Sequence, residues 1–143
     1  MKSLFVCLCI ASLAFGGCKS KKDTLQLEGF KWILKTLNGK EVTSTPPGTE
    51  IFFYFNAAEN RVNGRVACNR FFGHYKIDGG NLKFSPLGAT KMACPNDSEW
   101  EMEFFTALDA TENFKWEDGT LVFGNKEKTL ATFVGIPSDG EEE

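Results

Sequence analysis

Cys68, His74 and Cys94 are the side chains best equipped for chemistry, and the first two fall within "NGRVACNRFFGHYKIDGG", residues 63–80. A thiol beside an imidazole suggests a nucleophile with a general base. Two cysteines and a histidine suggest three soft ligands for zinc. The spacing supports neither reading well, because there is no close CxxC or HxxxH pattern and His74 is the chain's one histidine. No GxSxG, phosphate-cradling glycine loop or HExxH occurs either. Asp97, Glu99, Glu101 and Glu103 form a carboxylate cluster, and they crowd the first turns of an expected helix, where its dipole favours negative charge. The sequence therefore nominates no catalytic residue, metal ligand or cofactor.

Cysteine usage is better explained by compartment. The opening "MKSLFVCLCIASLAFGGCKS" has a basic residue, an apolar run shorter than a bilayer span, and small residues before Cys18. "AFGGC" resembles a bacterial lipobox, with Phe15 where smaller or aliphatic residues are usual. The resemblance implies a signal peptide over 1–17, cleavage before Cys18, and lipidation of Cys18. Several acyl chains on one residue make a nearly permanent anchor. Lys19 in place of Asp favours the outer membrane, by similarity to the sorting rules of envelope lipoproteins. Residues 18–28 then read as the lipidated cysteine and a polar tether. Cys7 and Cys9 leave with the signal and Cys18 is taken, so Cys68 and Cys94 remain as one expected disulfide in an oxidising compartment. That bridge would stabilise the fold by about 3 kcal/mol in the chain-entropy account. A disulfide also removes both thiols from nucleophilic or zinc chemistry.

Removing 17 residues from 143 leaves 126, the length of one domain. Lys2 goes with the signal, leaving 15 basic against 19 acidic side chains. This mildly acidic balance, with no basic stripe, argues against nucleic-acid binding. The terminal "SDGEEE" predicts an acidic disordered tail over 137–143.

The elements that must position these residues are mostly strands. "FKWILKTLNGKEV" places Phe30, Trp32 and Leu34 on one face before an Asn38-Gly39 turn. "EIFFYF" predicts a central strand covered on both faces. Asp78-Gly79-Gly80 and Asp118-Gly119 mark two further hairpins. In "RFFGHYKI", alternation puts Phe71, Gly73, Tyr75 and Ile77 on one face and Phe72, His74 and Lys76 on the other. One helix is expected in "NDSEWEMEFFTALDA", with Ser98 and Glu101 as a capping box and Trp100, Phe104, Ala107, Leu108 and Thr111 at helical spacing. The fold class is thus α+β: a curved, mainly antiparallel, barrel-like β-sheet with one α-helix packed on it. Twelve of the fourteen phenylalanines lie after the signal, and alternation directs most of them inward.

"NGRVACNRFFGHYKIDGGNLKFSPLGATKMAC", the acidic-aromatic helix and the "FKWEDGTLVF" hairpin together resemble the META-domain family, over nearly all of residues 29–136. The most specific pieces are Cys68, Asn69, Arg70, Phe71 and Gly73, and Thr90, Lys91, Met92, Ala93 and Cys94. The family usually has Gly where this chain has Ala67, a residue that tolerates positive φ poorly. The resemblance implies a compact envelope domain, often lipidated and linked to stress, with no established enzymatic activity and no catalytic residues to carry over. Fold-maintaining roles are expected for Asn69 and Arg70 ahead of ligand contact. The expected partners are the membrane, through Cys18, and an envelope protein or small ligand; the domain is expected to be monomeric. The alternative is a binding or inhibitor module using an aromatic sheet face or barrel mouth.

Overall fold

In the computed structural model, which describes residues 27–42, 50–94 and 98–138, with backbone alone at 98 and 99, tight turns join strands into a closed barrel. The strands are β1 (Phe30–Leu37), β2 (Lys40–Glu41), β3 (Phe52–Asn56), β4 (Arg61–Val66), β5 (Asn69–Asp78), β6 (Asn81–Phe84), β7 (Gly88–Ala89), β8 (Asn113–Glu117), β9 (Thr120–Gly124) and β10 (Thr129–Pro137). Helix α1 (Ser98–Asp109) lies between β7 and β8. Asn38-Gly39 has φ of 47° and 78°, and Asp118-Gly119 has 51° and 78°, the doubly positive pattern of type I′ hairpins.

Eight antiparallel strands run in the order β10-β9-β8-β6-β5-β4-β3-β1, and β1 pairs back onto β10 to close the ring. β2 extends β1, and β7 pairs with the first part of β5, where β6 no longer reaches. The closing seam is long, from Phe30↔Pro137 to Leu37↔Ala131, with a bulge between Leu34 and Thr36. The bulge re-phases the strand, so Leu37 is buried where strict alternation would have turned it outward. The β6–β8 seam is narrow, with Asn81↔Asn113 its one registered pair.

Aromatic rings fill the interior. Phe133 stands 4.9 Å, centroid to centroid, from both Phe53 and Phe123, and Phe55 stands 4.7 Å from Tyr75. The first two rings and Phe123 are at most 1% exposed. Helix α1 closes one end with Phe104, Ala107 and Leu108, and Phe104 meets Phe71 at 5.5 Å. Phe30, Trp32 and Trp116 cluster at the other end with centroids 5.3–5.7 Å apart. Leu27 is buried, and its carbonyl accepts the Trp32 Nε1–H at 2.9 Å. The ordered fold therefore starts before Phe30, in residues whose sequence reads as tether.

The expectation that "EIFFYF" is covered on both faces needs correction. Phe53 and Phe55 are buried, but Phe52 and Tyr54 lie half-buried on the outer wall. A closed barrel has one interior, so the second face has no layer to cover it. Glycine makes room where strands approach closely: a Cβ on Gly64 would lie 2.1 Å from the Phe52 carbonyl oxygen. The tail expected over 137–143 begins later than that, because Pro137 pairs with Phe30 in β10 and the Ser138 N–H donates to the Gly29 carbonyl. Cys18 and residues 139–143 lie outside the described residues, as does the Ser98 side chain of the expected capping box.

Tyr75 gives the interior a titratable reporter. Burial, reinforced by the Glu28 carboxylate, pushes its phenol from 10.0 up to about 12. Because the folded state holds this proton more tightly, the associated stability is complete below pH 10 and is lost as the pH rises through about 12. Ultraviolet titration of the folded protein should show one of its two tyrosines ionising near pH 12, and Tyr75→Phe should abolish that transition.

Candidate functional site

Two clusters contain the residues that the sequence singles out, and they lie on opposite faces of β5. The first is built around Asn69, which is 2% exposed. Val66 pairs with Asn69, so Ala67 and Cys68 form a two-residue turn between β4 and β5. Ala67 has φ of 53°, in the left-handed region where glycine is favoured. From that turn Cys68 bonds to Cys94, with Cα atoms 5.6 Å apart. Both sulfurs are committed to each other, which rules out their use as thiolate nucleophile or zinc ligands in this state. His74 faces outward and exposed. Among the described residues, no three His, Cys, Asp or Glu side chains are grouped to hold a metal.

Asn69 uses its whole amide. Its Oδ1 accepts from the Met92 backbone N–H at 2.7 Å and the Thr90 hydroxyl at 2.9 Å. Its Nδ2 donates to a Glu101 carboxylate oxygen at 3.1 Å and to the Met92 carbonyl at 3.3 Å. Arg70 contributes main chain: its N–H donates to Thr90 Oγ1 at 3.0 Å and its carbonyl accepts from the Thr90 N–H at 2.9 Å. One buried amide thus ties the β4–β5 turn, the 90–94 strap and helix α1 together. Buried polar groups demand such partners. The Lys91 and Met92 side chains are exposed, and Met92 contributes through its backbone N–H and carbonyl. Phe71 points into the core against Phe104 and Phe105. Gly73 leaves room for Leu87, whose Cδ2 would lie 2.4 Å from a Cβ there. The sequence offered no sign of Glu101's part in this network.

The second cluster is on the outer wall. A shallow depression of ≈ 310 Å³ is lined by Lys31, Phe52, Tyr54, Asn63, Arg65 and Arg70, with Phe72 at its edge. The Lys31 ammonium stands 4.1 Å and the Arg65 guanidinium 5.2 Å from the centre of the Phe52 ring. Arg65 registers directly opposite Arg70 across the β4–β5 ladder, an arrangement of like charges that opposes folding. Among the described residues, neither guanidinium has a carboxylate in ion-pair contact, whereas Lys31 pairs with Glu50 at 3.4 Å. Arg65 Nε is enclosed and without a hydrogen-bond partner. Arg70, expected to hold the fold, instead has its side chain exposed in this cluster.

Comparison with known proteins gives concordant results. Residues 24–135 match the family described as META domain. Heat shock protein HslJ of Escherichia coli (strain K12) is 33% identical over 96 residues, which are 64% of this chain and 66% of that protein. The chain thus spans about two thirds of that relative's length. A protein from Burkholderia xenovorans, solved by NMR, superposes with a TM-score of 0.63 at 21% identity, covering 92% of this chain and 99% of its own. A duf4847 family protein from Bacteroides vulgatus gives 0.56 at 16% identity, covering 79% and 96%. At these identities the two structures share the fold.

Two substitutions separate the roles within this region. Asn69→Ala should lower unfolding stability by about 3 kcal/mol, because it strands buried partners, whereas Arg70→Ala should change it by under about 0.5 kcal/mol. Ala67→Gly should raise stability by about 1 kcal/mol by relieving the left-handed turn. Urea unfolding midpoints at constant slope measure all three.

Proposed function

The chain belongs to the META domain family, and from that premise we propose that it is a non-catalytic, lipid-anchored protein of the bacterial cell envelope. The observation that carries the reading is the lipobox-like "AFGGC" placed a short polar stretch ahead of the barrel. Acylated at Cys18, the chain would hold its barrel within roughly 30 Å of a bilayer, since the nine residue steps from Cys18 to buried Leu27 can span no more than that even at full reach. Lys19 favours the outer membrane in this reading. The heat-shock name of the relative supports a role in envelope stress. Protein or small-ligand contacts, rather than turnover, would be the means.

Three features support a non-catalytic role. Rings occupy the barrel axis, both mature thiols are joined, and His74 lies on the outer face. The alternative of a binding module splits in two. An apolar ligand within the barrel has little to recommend it, because the interior is filled by side chains. The outer wall keeps the idea of a binding surface alive.

Intact mass of the protein purified from its native membrane tests the reading. The expected mass is that of a chain beginning at Cys18 plus acyl groups, with two thiols becoming reactive on reduction, and Cys18→Ala should move the protein out of the membrane fraction. A soluble, unacylated native form would overturn it.

A further inference from the structure

The outer wall of β10, β1, β3, β4 and β5 combines charge and apolar surface in a way that neither the fold nor the hub at Asn69 requires. One unbroken row of registered neighbours crosses all five strands: Val134, Ile33, Phe52, Arg65 and Arg70. The adjoining rows contribute Ile136 beside Lys31, and Tyr54, Asn63 and Phe72. Phe72, Ile136 and Val134 are 51%, 48% and 37% exposed. The cations are held in place by the barrel, with Lys31 and Arg65 over one ring and Arg70 opposite Arg65.

Like charges placed opposite each other without a carboxylate oppose folding, and the arrangement makes physical sense if an anion completes it. Guanidinium pairs suit the paired oxygens of phosphate or carboxylate. Exposed apolar side chains on both flanks suit an anion that is part of an apolar interface. The chain also enters the barrel at the end of this wall: Gly29 precedes β1 and accepts a hydrogen bond from the Ser138 N–H, next to the Lys31–Ile136 pair. In sequence, the acidic residues 139–143 follow Ser138.

We propose that this wall is a lipid-facing surface, in which Arg65, Arg70 and Lys31 receive the phosphodiester of an anionic phospholipid while Phe72, Val134 and Ile136 meet the interface. The choice of a lipid source rests on the anchored reading given above; the anion chemistry rests on the wall itself. A basic side chain at an anionic membrane surface strengthens binding about fivefold, so two together contribute about 25-fold.

The test uses the whole chain from residue 18 onward with Cys18→Ser, so that binding does not depend on acylation, and cosedimentation with phosphatidylcholine vesicles with or without phosphatidylglycerol. Binding is expected on the anionic vesicles alone. Arg65→Gln with Arg70→Gln should weaken it about 25-fold, and Phe72→Ser should weaken it further. Lys76→Gln with Lys83→Gln removes an equal charge from a register pair elsewhere on the barrel and should change binding less than about twofold. Arg70→Gln should leave the unfolding midpoint unchanged or higher, which a fold-maintaining arginine would not. Equal losses in both double variants would reduce the effect to overall charge and overturn the proposal. So would an absence of binding to anionic vesicles, or displacement by glycerol phosphate at concentrations that leave vesicle charge unscreened, which would make this a site for free anions. A Cys18-acylated native protein with no anionic-vesicle binding would sink this inference and leave the anchored reading intact.

Discussion

The pairing of β1 with β10 is the constraint on which the rest of the molecule depends. It joins the first strand to the last along seven registered pairs and converts an open sheet into a ring. Closure gives Phe53, Phe123 and Phe133 a common interior and removes the sheet edges that invite association. It also comes with an entropic cost, since its two strands lie about as far apart in sequence as the domain allows. Dense ring contact in the interior offsets that cost, and each Phe removes a large apolar area from water.

The ring is weakest between β6 and β8, where one registered pair holds. The chain between those strands makes β7 and helix α1 before returning, so this long excursion needs fastening. Asn69 and the Cys68–Cys94 bridge provide it, linking the β4–β5 turn to the strap through Thr90 and Met92 and to the helix through Glu101. That explains why a cysteine and an asparagine stand together at a turn. The bridge shortens the free excursion, while the amide sets where the strap and helix lie. Ala67, held at φ of 53°, shows that the turn geometry is kept despite local strain.

Much of this was legible in the chain. The Asn-Gly and Asp-Gly turns, the inward phase of Phe71 and Tyr75 and the helix over Ser98–Asp109 follow from local patterns, and the cysteine pair from the count of cysteines left after the signal and the lipid site. Long-range geometry was not. The β1 bulge that buries Leu37 and the hydrogen bond that captures Leu27 depend on partners far along the chain or on a ring yet to close. "EIFFYF" misled because apolar residues on an outer wall look the same as residues under a second layer. Glu101 read as a capping residue because its partner Asn69 lies 32 positions away. The Arg65–Arg70 pair was within reach: a two-residue turn at Ala67-Cys68 fixes Val66 opposite Asn69, and therefore Arg65 opposite Arg70.

A small barrel with a filled axis has limited ways to act. Its ends are occupied, one by α1 and the other by Leu27 and the Trp32–Trp116 cluster, so neither forms an open mouth. Among the described residues, the surface left for contacts is the outer wall, where the pleat sends every second side chain. On most of that wall polar residues alternate with the core, as Arg70, His74 and Lys76 do along β5. Across β1 and β3 the alternation instead yields Ile33, Phe52 and Tyr54, and two cations lie over Phe52, Arg65 without a carboxylate and Lys31 with Glu50 beside it. Folding would be served as well by threonine at those positions. The aromatic and cationic side chains there thus serve the outside of the barrel rather than its core.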